Sequence, residues 1–450
     1  MLSPADADLV RRDAALPGLA LLLDPVAFAD AVRPSFPEAG LGELSITYVR
    51  YKPGSNCLAA YRIDAGGKPV RLYAKAYGPD AVTKLRKRSE SEPADGTTGP
   101  GRIFFAEWSA IVHRFPDDVE LGVLRELGAP ESWRDRLRRM MPANAELWDG
   151  VLRTLAYKPE RRYVAELSAG GGAKAVLKVY DEEGYRAARL GLKAFAAQGP
   201  LRLARRIGKS NRRRIMVFEW LPGRLLIEAI SGPRPEPGAA AAAGRALAVL
   251  HSQRPEGRLP TITRKEEGER LLELAAGIGF LVPRAAAAAE SLARRIARSI
   301  AEMPAEGQPL HGDFYADQVL VDGDAAAIID LDRAARGDAA SDLGLFLAHL
   351  TRDVLRGRIS PEAAQAASDR FLEGYGDTAP LPAPFKLDLY AAAGLFGLSM
   401  DPFRLREPDW PERVEAMLSG AAAILDGRRP EHPYLPAHPG PSAAPSGSRS

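Results

Sequence analysis

Two segments of this 450-residue chain carry one pattern, at residues 48–77 and 155–180. Each reads as a strand, a Tyr-Lys-Pro loop, a second strand, a Gly-rich turn and a third strand bearing a lysine. The first copy has Tyr51-Lys52-Pro53, the Gly66-Gly67 turn and Lys75; the second has Tyr157-Lys158-Pro159, Gly170-Gly171-Gly172 and Lys178. A duplicated antiparallel unit therefore occupies the first half of the chain. From Pro237 onward the sequence turns alanine-rich and its apolar periodicity is helical. Helices are expected over 237–252, 264–279, 282–303, 340–356, 360–375, 386–398 and 410–426. The expected fold class is α+β, and the length calls for two or three domains.

One segment interrupts the helices. His311-Gly-Asp313-Phe-Tyr-Ala-Asp-Gln318-Val-Leu-Val321 is followed, after an Asp/Gly turn, by Ile328-Ile-Asp330-Leu-Asp332. Read as a strand-loop-strand hairpin, it presents Asp313 as a base, with Gln318 and Asp330 as metal ligands, to a triphosphate. Phosphoryl transfer is catalysed mostly by positioning and charge neutralisation, so a carboxylate at the incoming hydroxyl and oxygen ligands for Mg2+ are the parts it needs. Asp313 needs only to be ionised and within reach of that hydroxyl. Lys178 offers a compact positive charge for phosphates.

The segment resembles the catalytic loop of the aminoglycoside phosphotransferase family, small-molecule relatives of the protein kinases, whose signature is H-G-D-x-x-x-x-N followed by I-D-x-[DE]. The resemblance implies a bilobal protein-kinase-like fold, with an antiparallel β N-lobe and a mainly helical C-lobe, and ATP and Mg2+ as cofactors. It also implies that Glu219, Trp220 and Leu221, after the apolar strand from Ile215, form a hinge against the adenine ring. His311, Asp338 and Asp342 would support the loop, and Ala246-Leu-Ala-Val-Leu-His251 resembles the helix before it. The expected organisation is an N-terminal cap domain resembling a duplicated N-lobe (1–148), the N-lobe (149–223), the C-lobe (224–428) and a disordered tail (429–450).

The sequence departs from the family pattern in several places. Gln318 stands where Asn is usual, carrying the same carbonyl on a stem one methylene longer, and Tyr315 and Asp317 replace a common His and Gly. Asp317 is a further candidate metal or substrate contact. No glutamate lies between Tyr185 and Gln198 to pair Lys178 as a kinase helix would, and Glu182 and Glu183 sit too near it in sequence. Lys158-Pro-Glu-Arg-Arg162 replaces a Gly-rich phosphate loop, so phosphate contacts are expected from backbone amides and Arg or Lys side chains. The first copy lacks a catalytic loop. Its Lys75 is expected as a relic or structural charge, with a regulatory ligand site at Lys75 or Asp117 and Asp118 as a second reading. A strand is expected at 102–115.

The expected activity is ATP-dependent transfer of a phosphoryl group to a hydroxyl of a small polar molecule: a sugar, an aminoglycoside-like compound or a metabolite. Tyr390, Phe396, Asp401 and Trp410 are candidates for acceptor contact. The alternative is a weakened pseudokinase acting as a nucleotide-binding or scaffolding module. Protein substrates are disfavoured because Asp332 to Asp338 is too short for an activation loop.

A net charge of +3, from 61 basic against 58 acidic residues, argues against nucleic acid as a partner. Runs such as Arg86-Lys-Arg88 read as solvated faces. The single cysteine, Cys57, excludes an internal disulfide framework and, without a membrane-length apolar run, points to a cytoplasmic protein. The Ala, Arg, Gly and Pro usage suggests a bacterial source. The six histidines form no zinc motif, and no G-x-S-x-G occurs. The oligomeric state stays open.

Overall fold

The computed structural model describes all residues except 36–40, 66–67, 84–100, 128–129, 256 and 428–450. The Gly66-Gly67 turn, the run at 86–88 and the tail at 429–450 lie outside the described residues. Both copies of the repeat form meanders at matching positions. Strands β1 (Leu41–Lys52), β2 (Asn56–Ala65), β3 (Lys68–Tyr77), β4 (Arg102–Phe105) and β5 (Ala110–Arg114) make a five-stranded antiparallel sheet in the order β1-β2-β3-β5-β4. The expected strand at 102–115 is two strands, broken at Ser109, whose φ is 44°.

In the second sheet, β6 (Val151–Lys158), β7 (Arg162–Ser168) and β8 (Lys174–Tyr180) are extended by strands Arg206–Ser210 and Ile215–Glu219. Met216 sits opposite Lys178 in the last pairing. Helix Pro130–Met140 covers this sheet, with Trp133, Leu137 and Met141 in one core with Leu167, Leu177 and Val217. A boundary at residue 148 would divide a shared core, because Leu121, Leu124 and Leu147 also bury their side chains with those of the second sheet.

The first sheet is covered by short helices at Leu19–Leu23 and Pro25–Val32. Phe28 stacks on Tyr61 at 3.8 Å, and the Tyr61 hydroxyl donates to the Leu22 carbonyl at 2.8 Å. Asp24 starts the second of these helices by accepting from the backbone of Val26 and Ala27, ahead of Pro25 at the first helical position.

The remaining chain is helical as its periodicity predicted, at Gly238–Ser252, Arg264–Leu281, Ala286–Glu302, Ala339–Leu355, Pro361–Gly376, Pro384–Leu398 and Trp410–Leu425. Helix Gly238–Ser252 packs backbone to backbone on Pro361–Gly376: a Cβ at Gly244 would lie 2.1 Å from the Phe371 carbonyl oxygen, and one at Gly374 would lie 2.1 Å from the Ala241 carbonyl oxygen. Helix Arg264–Leu281 opens on a complete capping box between Thr263 and Glu266, worth about 1 kcal/mol. Short helices at Leu226–Ser231 and Asp401–Arg404 escaped the sequence reading because they are too brief to show a period. Among the described residues no helix is long and apolar enough to cross a membrane.

A small sheet of Leu201–Arg202, Arg224–Leu225, Val319–Asp322 and Ala325–Ile328 packs on helices Leu226–Ser231 and Gly238–Ser252. The hairpin Val319–Ile328 places Asp313 before its first strand and Asp330 after its second. The molecule is bilobal, with an additional sheet unit at its N-terminus.

Candidate active site

The loop from His311 is built from buried hydrogen bonds. Fully buried Asp342, in the first turn of helix Ala339–Leu355, accepts the backbone N–H of His311 at 2.7 Å and of Gly312 at 2.9 Å. It also pairs with His251 Nε2 at 3.0 Å, and the Tyr375 hydroxyl lies 3.0 Å from His251 Nδ1. Burial works against the Asp342 charge, but these partners hold its carboxyl below the usual range. His311 donates through Nε2 to the Ile329 carbonyl at 2.9 Å and accepts the Asp313 N–H at Nδ1, 3.2 Å away. This histidine ties the two arms of the hairpin together. Gly312 has φ 78°, and a Cβ there would stand 2.2 Å from the Arg333 carbonyl oxygen, so only glycine fits.

Asp313 is the acid this scaffold turns outward. Its side chain is 37% exposed against 11% for Asp330 and 1% for Asp342, and its ion pair with Arg333 is a long one at 3.7 Å. Asp338 caps helix Ala339–Leu355 through Ala340 N–H at 3.1 Å and pairs with Arg264 and Lys386, both at 2.8 Å.

Asp330 sits in the left-handed region at φ 68°, which an Asp tolerates better than most side chains. Its carboxylate takes Lys178 Nζ at 3.1 Å and Arg162 Nη1 at 2.9 and 2.6 Å, while the same nitrogen reaches Asp332 Oδ2 at 2.9 Å. Burial opposes ionisation of Asp330, but Lys178 and Arg162 outweigh it and hold this carboxyl well below the usual range. Asp332 shifts upward instead, chiefly through burial, with the neighbouring Asp330 charge adding to it. Lys178 and Asp330 thus come together across the two lobes.

No glutamate of helix Glu182–Ala194 faces Lys178: Glu182 and Glu183 are exposed in its first turn. The helix instead packs at Gly191 directly on the Leu331–Arg333 turn, where a Cβ would lie 2.0 Å from the Leu331 carbonyl oxygen. Gln318 donates through Nε2 to the Tyr315 hydroxyl at 3.2 Å, and Tyr315 stacks on buried His349 at 4.1 Å. Oε1 of Gln318 is the amide atom left free of Tyr315. Asp317 is taken by Arg358 at 2.9 and 2.7 Å.

In the segment expected as a hinge, Glu219 is engaged by Arg205. Its N–H bonds to the Arg205 carbonyl at 3.0 Å and its carboxylate accepts the Arg205 N–H at 2.8 Å. Lys174 Nζ lies 5.2 Å from the Trp220 ring centre. The expected acceptor contacts are corrected: Phe396, Tyr390 and Trp410 are buried in the helical core, with Tyr390 bonded to Arg264, and Asp401 pairs with Arg352 at 3.3 Å. Arg162 and Tyr315 gained site positions that the sequence reading had not given them individually. The basic Lys158–Arg162 segment was the available signal for the first.

A family described as "phosphotransferase enzyme family" matches residues 158–386 of the chain. The chain belongs to this family. It is accordingly an ATP-dependent small-molecule kinase with an alcohol group as acceptor. No curated protein matches the chain. Among solved structures, a macrolide 2'-phosphotransferase of Brachybacterium faecium is 19% identical at a TM-score of 0.40, covering 67% of this chain and 99% of its own. A choline kinase of Cryptosporidium parvum is 10% identical at 0.45, covering 66% and 95%. An aminoglycoside phosphotransferase mutant in complex with AMP-PNP and hygromycin B is 15% identical at 0.42, covering 61% and 93%. The membership of this phosphotransferase rests on the family match and not on these likenesses.

Proposed function

We propose that this phosphotransferase moves the γ-phosphoryl group of ATP to a hydroxyl of a small polar molecule such as a sugar, an aminoglycoside-like compound or a metabolite, with Asp313 as the base. The observation that carries this reading is the outward carboxylate of Asp313 on a loop that buried Asp342 holds through the backbone N–H groups of His311 and Gly312. The acceptor hydroxyl gives its proton to Asp313 as its oxygen bonds to the γ-phosphorus and the bond to the bridging oxygen breaks, releasing ADP.

Lys178, Arg162 and Lys158 are the cations for the phosphates. Lys158 stands within electrostatic reach of both Asp313 and Asp330. Trp220 and Leu221 supply the hinge backbone and Glu219 fixes it. Among the described residues no group of three or more His, Cys, Asp or Glu is arranged to hold a metal. Asp330 and Gln318 offer two hard oxygen donors, which suits Mg2+, an ion that commonly takes its other ligands from water and phosphate. Bound there, Mg2+ would neutralise phosphate charge. Asp330 already accepts two cationic side chains, which fits it to that role.

A second reading, a weakened nucleotide-binding module, is favoured by the hold of Arg162 on Asp330 and Asp332 and by the absence of a helical partner for Lys178. Incubation with Mg-ATP and a panel of sugars, aminoglycosides and amino alcohols, followed by mass spectrometry of the acceptors, separates the two. A product heavier by one phosphoryl group supports transfer. Nucleotide binding without any product across the panel supports the weakened module.

A further inference from the structure

The turn between β6 and β7 has at its centre Glu160, a buried carboxylate in the left-handed region at φ 59°. A turn residue with no ligand to bind would ordinarily leave such a group in water, because burying a charge is costly unless it is paired. Both of its partners come from the other sheet. Arg50 Nη2 of β1 and Lys75 Nζ of β3 reach Glu160 Oε2 at 2.8 and 2.7 Å. The Glu160 N–H bonds to Asp118 Oδ2 at 2.9 Å, and the Tyr157 hydroxyl bonds to the same oxygen at 2.7 Å. The turn is thus gripped at its carboxylate, its backbone and its flank.

The same turn is flanked by Lys158 and Arg162, which sit opposite each other in the β6–β7 pairing; Arg162 reaches Asp330, and Lys158 lies within electrostatic reach of Asp313 and Asp330. Lys75 holds the strand position in the first sheet that Lys178 holds in the second. Lys178 turns to Asp330 of its own cleft, whereas Lys75 turns to the other copy's phosphate-side turn.

The N-terminal unit also bears on the helical lobe. Next to Arg50, and pointing to the opposite face of β1, the Tyr51 ring lies 6.3 Å from Phe280 and 6.0 Å from Phe403. Its hydroxyl donates to Asp13 at 2.6 Å, and Arg12 donates to the Leu281 carbonyl at 3.3 Å. One strand therefore touches the phosphate-side turn of one lobe and the helices of the other.

We propose that Arg50 and Lys75 are positioning residues for phosphoryl transfer, holding through Glu160 the turn that sets Lys158 and Arg162 over the phosphates. This rests on the reading of the cleft as a phosphotransfer site. The N-terminal unit is then a working part of the nucleotide site, where a relic would be indifferent to it.

The test uses the full chain carrying Arg50→Met and Lys75→Met, with Lys75→Arg beside it. Hydrogen exchange at residues 157–163 is expected to quicken about tenfold in the double variant while the first sheet keeps its protection. The KM for ATP is expected to rise about tenfold with the acceptor KM held within about twofold, as loss of charge-assisted hydrogen bonds on one substrate's side requires. Lys75→Arg should retain wild-type values. If the double variant does not fold, Lys75→Met alone carries the comparison, with a shift of about threefold because Arg50 remains. Unchanged exchange at the turn, or equal rises in both KM values, overturns the proposal. Should the wild type show no turnover at all, the phosphotransfer reading fails by itself, and exchange at the turn still decides whether the clamp exists.

Discussion

Arg162 Nη1 lies 2.6 Å from Asp330 Oδ2 and 2.9 Å from Asp332 Oδ2, so one guanidinium joins the start of β7 to two acids of the other lobe. The contact sets a positive charge against both carboxylates. Replacing Arg162 by Met should therefore tighten the binding of Mg2+ in the absence of nucleotide. It should also weaken Mg-ATP binding by about tenfold, since a charge-assisted contact to the phosphates is lost. Titration calorimetry with each ligand checks both signs.

Tyr315 sets the orientation of the Gln318 amide, and the ring of His349 sets Tyr315. Gln318→Ala is expected to raise the Mg2+ concentration at half-maximal activity about tenfold or more. Tyr315→Phe, which keeps the stacking and loses only the hydroxyl, should raise it about threefold to tenfold; outer partners of a metal ligand act on this scale or above. Activity measured across a Mg2+ series at saturating ATP gives both numbers.

Asp342 accepts two loop N–H groups and pairs with His251, all away from water. Asp342→Ala leaves these donors buried without an acceptor, a loss of about 3–5 kcal/mol. Urea unfolding of the variant against the wild type measures it. A midpoint close to the wild type would mean that the loop is held by other contacts.

Much of this arrangement is legible in the residues. The repeat pattern gives both meanders, and helical periodicity gives the C-terminal helices, because each depends on local alternation of apolar side chains. The hairpin from His311 to Asp332 is equally plain, since its acids are fixed by short spacing. The partners of those acids are not. Nothing near Lys75 in sequence points to Glu160, 85 positions away, nor does anything near Asp330 point to Arg162, 168 positions away. These pairings arise from how the sheets and lobes stack. The same limit misplaced Tyr390, Phe396 and Trp410, whose aromatic rings suit a binding surface and a core equally well and are used in the core.

Two buried histidines give the fold a dependence on acid. Burial lowers the pKa of His113 despite its hydrogen bond with Asp117, and burial together with Arg352, Arg358 and Arg356 lowers that of His349 well below the usual value. Both hold a proton less readily in the folded chain than in the unfolded one, where they titrate near 6.5, so the unfolded chain binds more protons as pH falls through that value. Stability should be full above that value and fall as pH drops through it, by up to about 1.4 kcal/mol per pH unit for each histidine until the folded values are reached. Urea midpoints between about pH 8 and pH 5 follow this, and His349→Phe, which keeps the ring stack on Tyr315, should make the slope shallower. A flat profile in the wild type would contradict the assignment.

The most direct measurement is ADP release from Mg-ATP in the presence of an acceptor, with the wild type and Asp313→Asn side by side. With Asp313 as base, the variant should lose about 10²- to 10⁴-fold in kcat, the span a positioned base contributes, with its ATP KM near the wild-type value. Equal turnover in the two proteins would contradict the account.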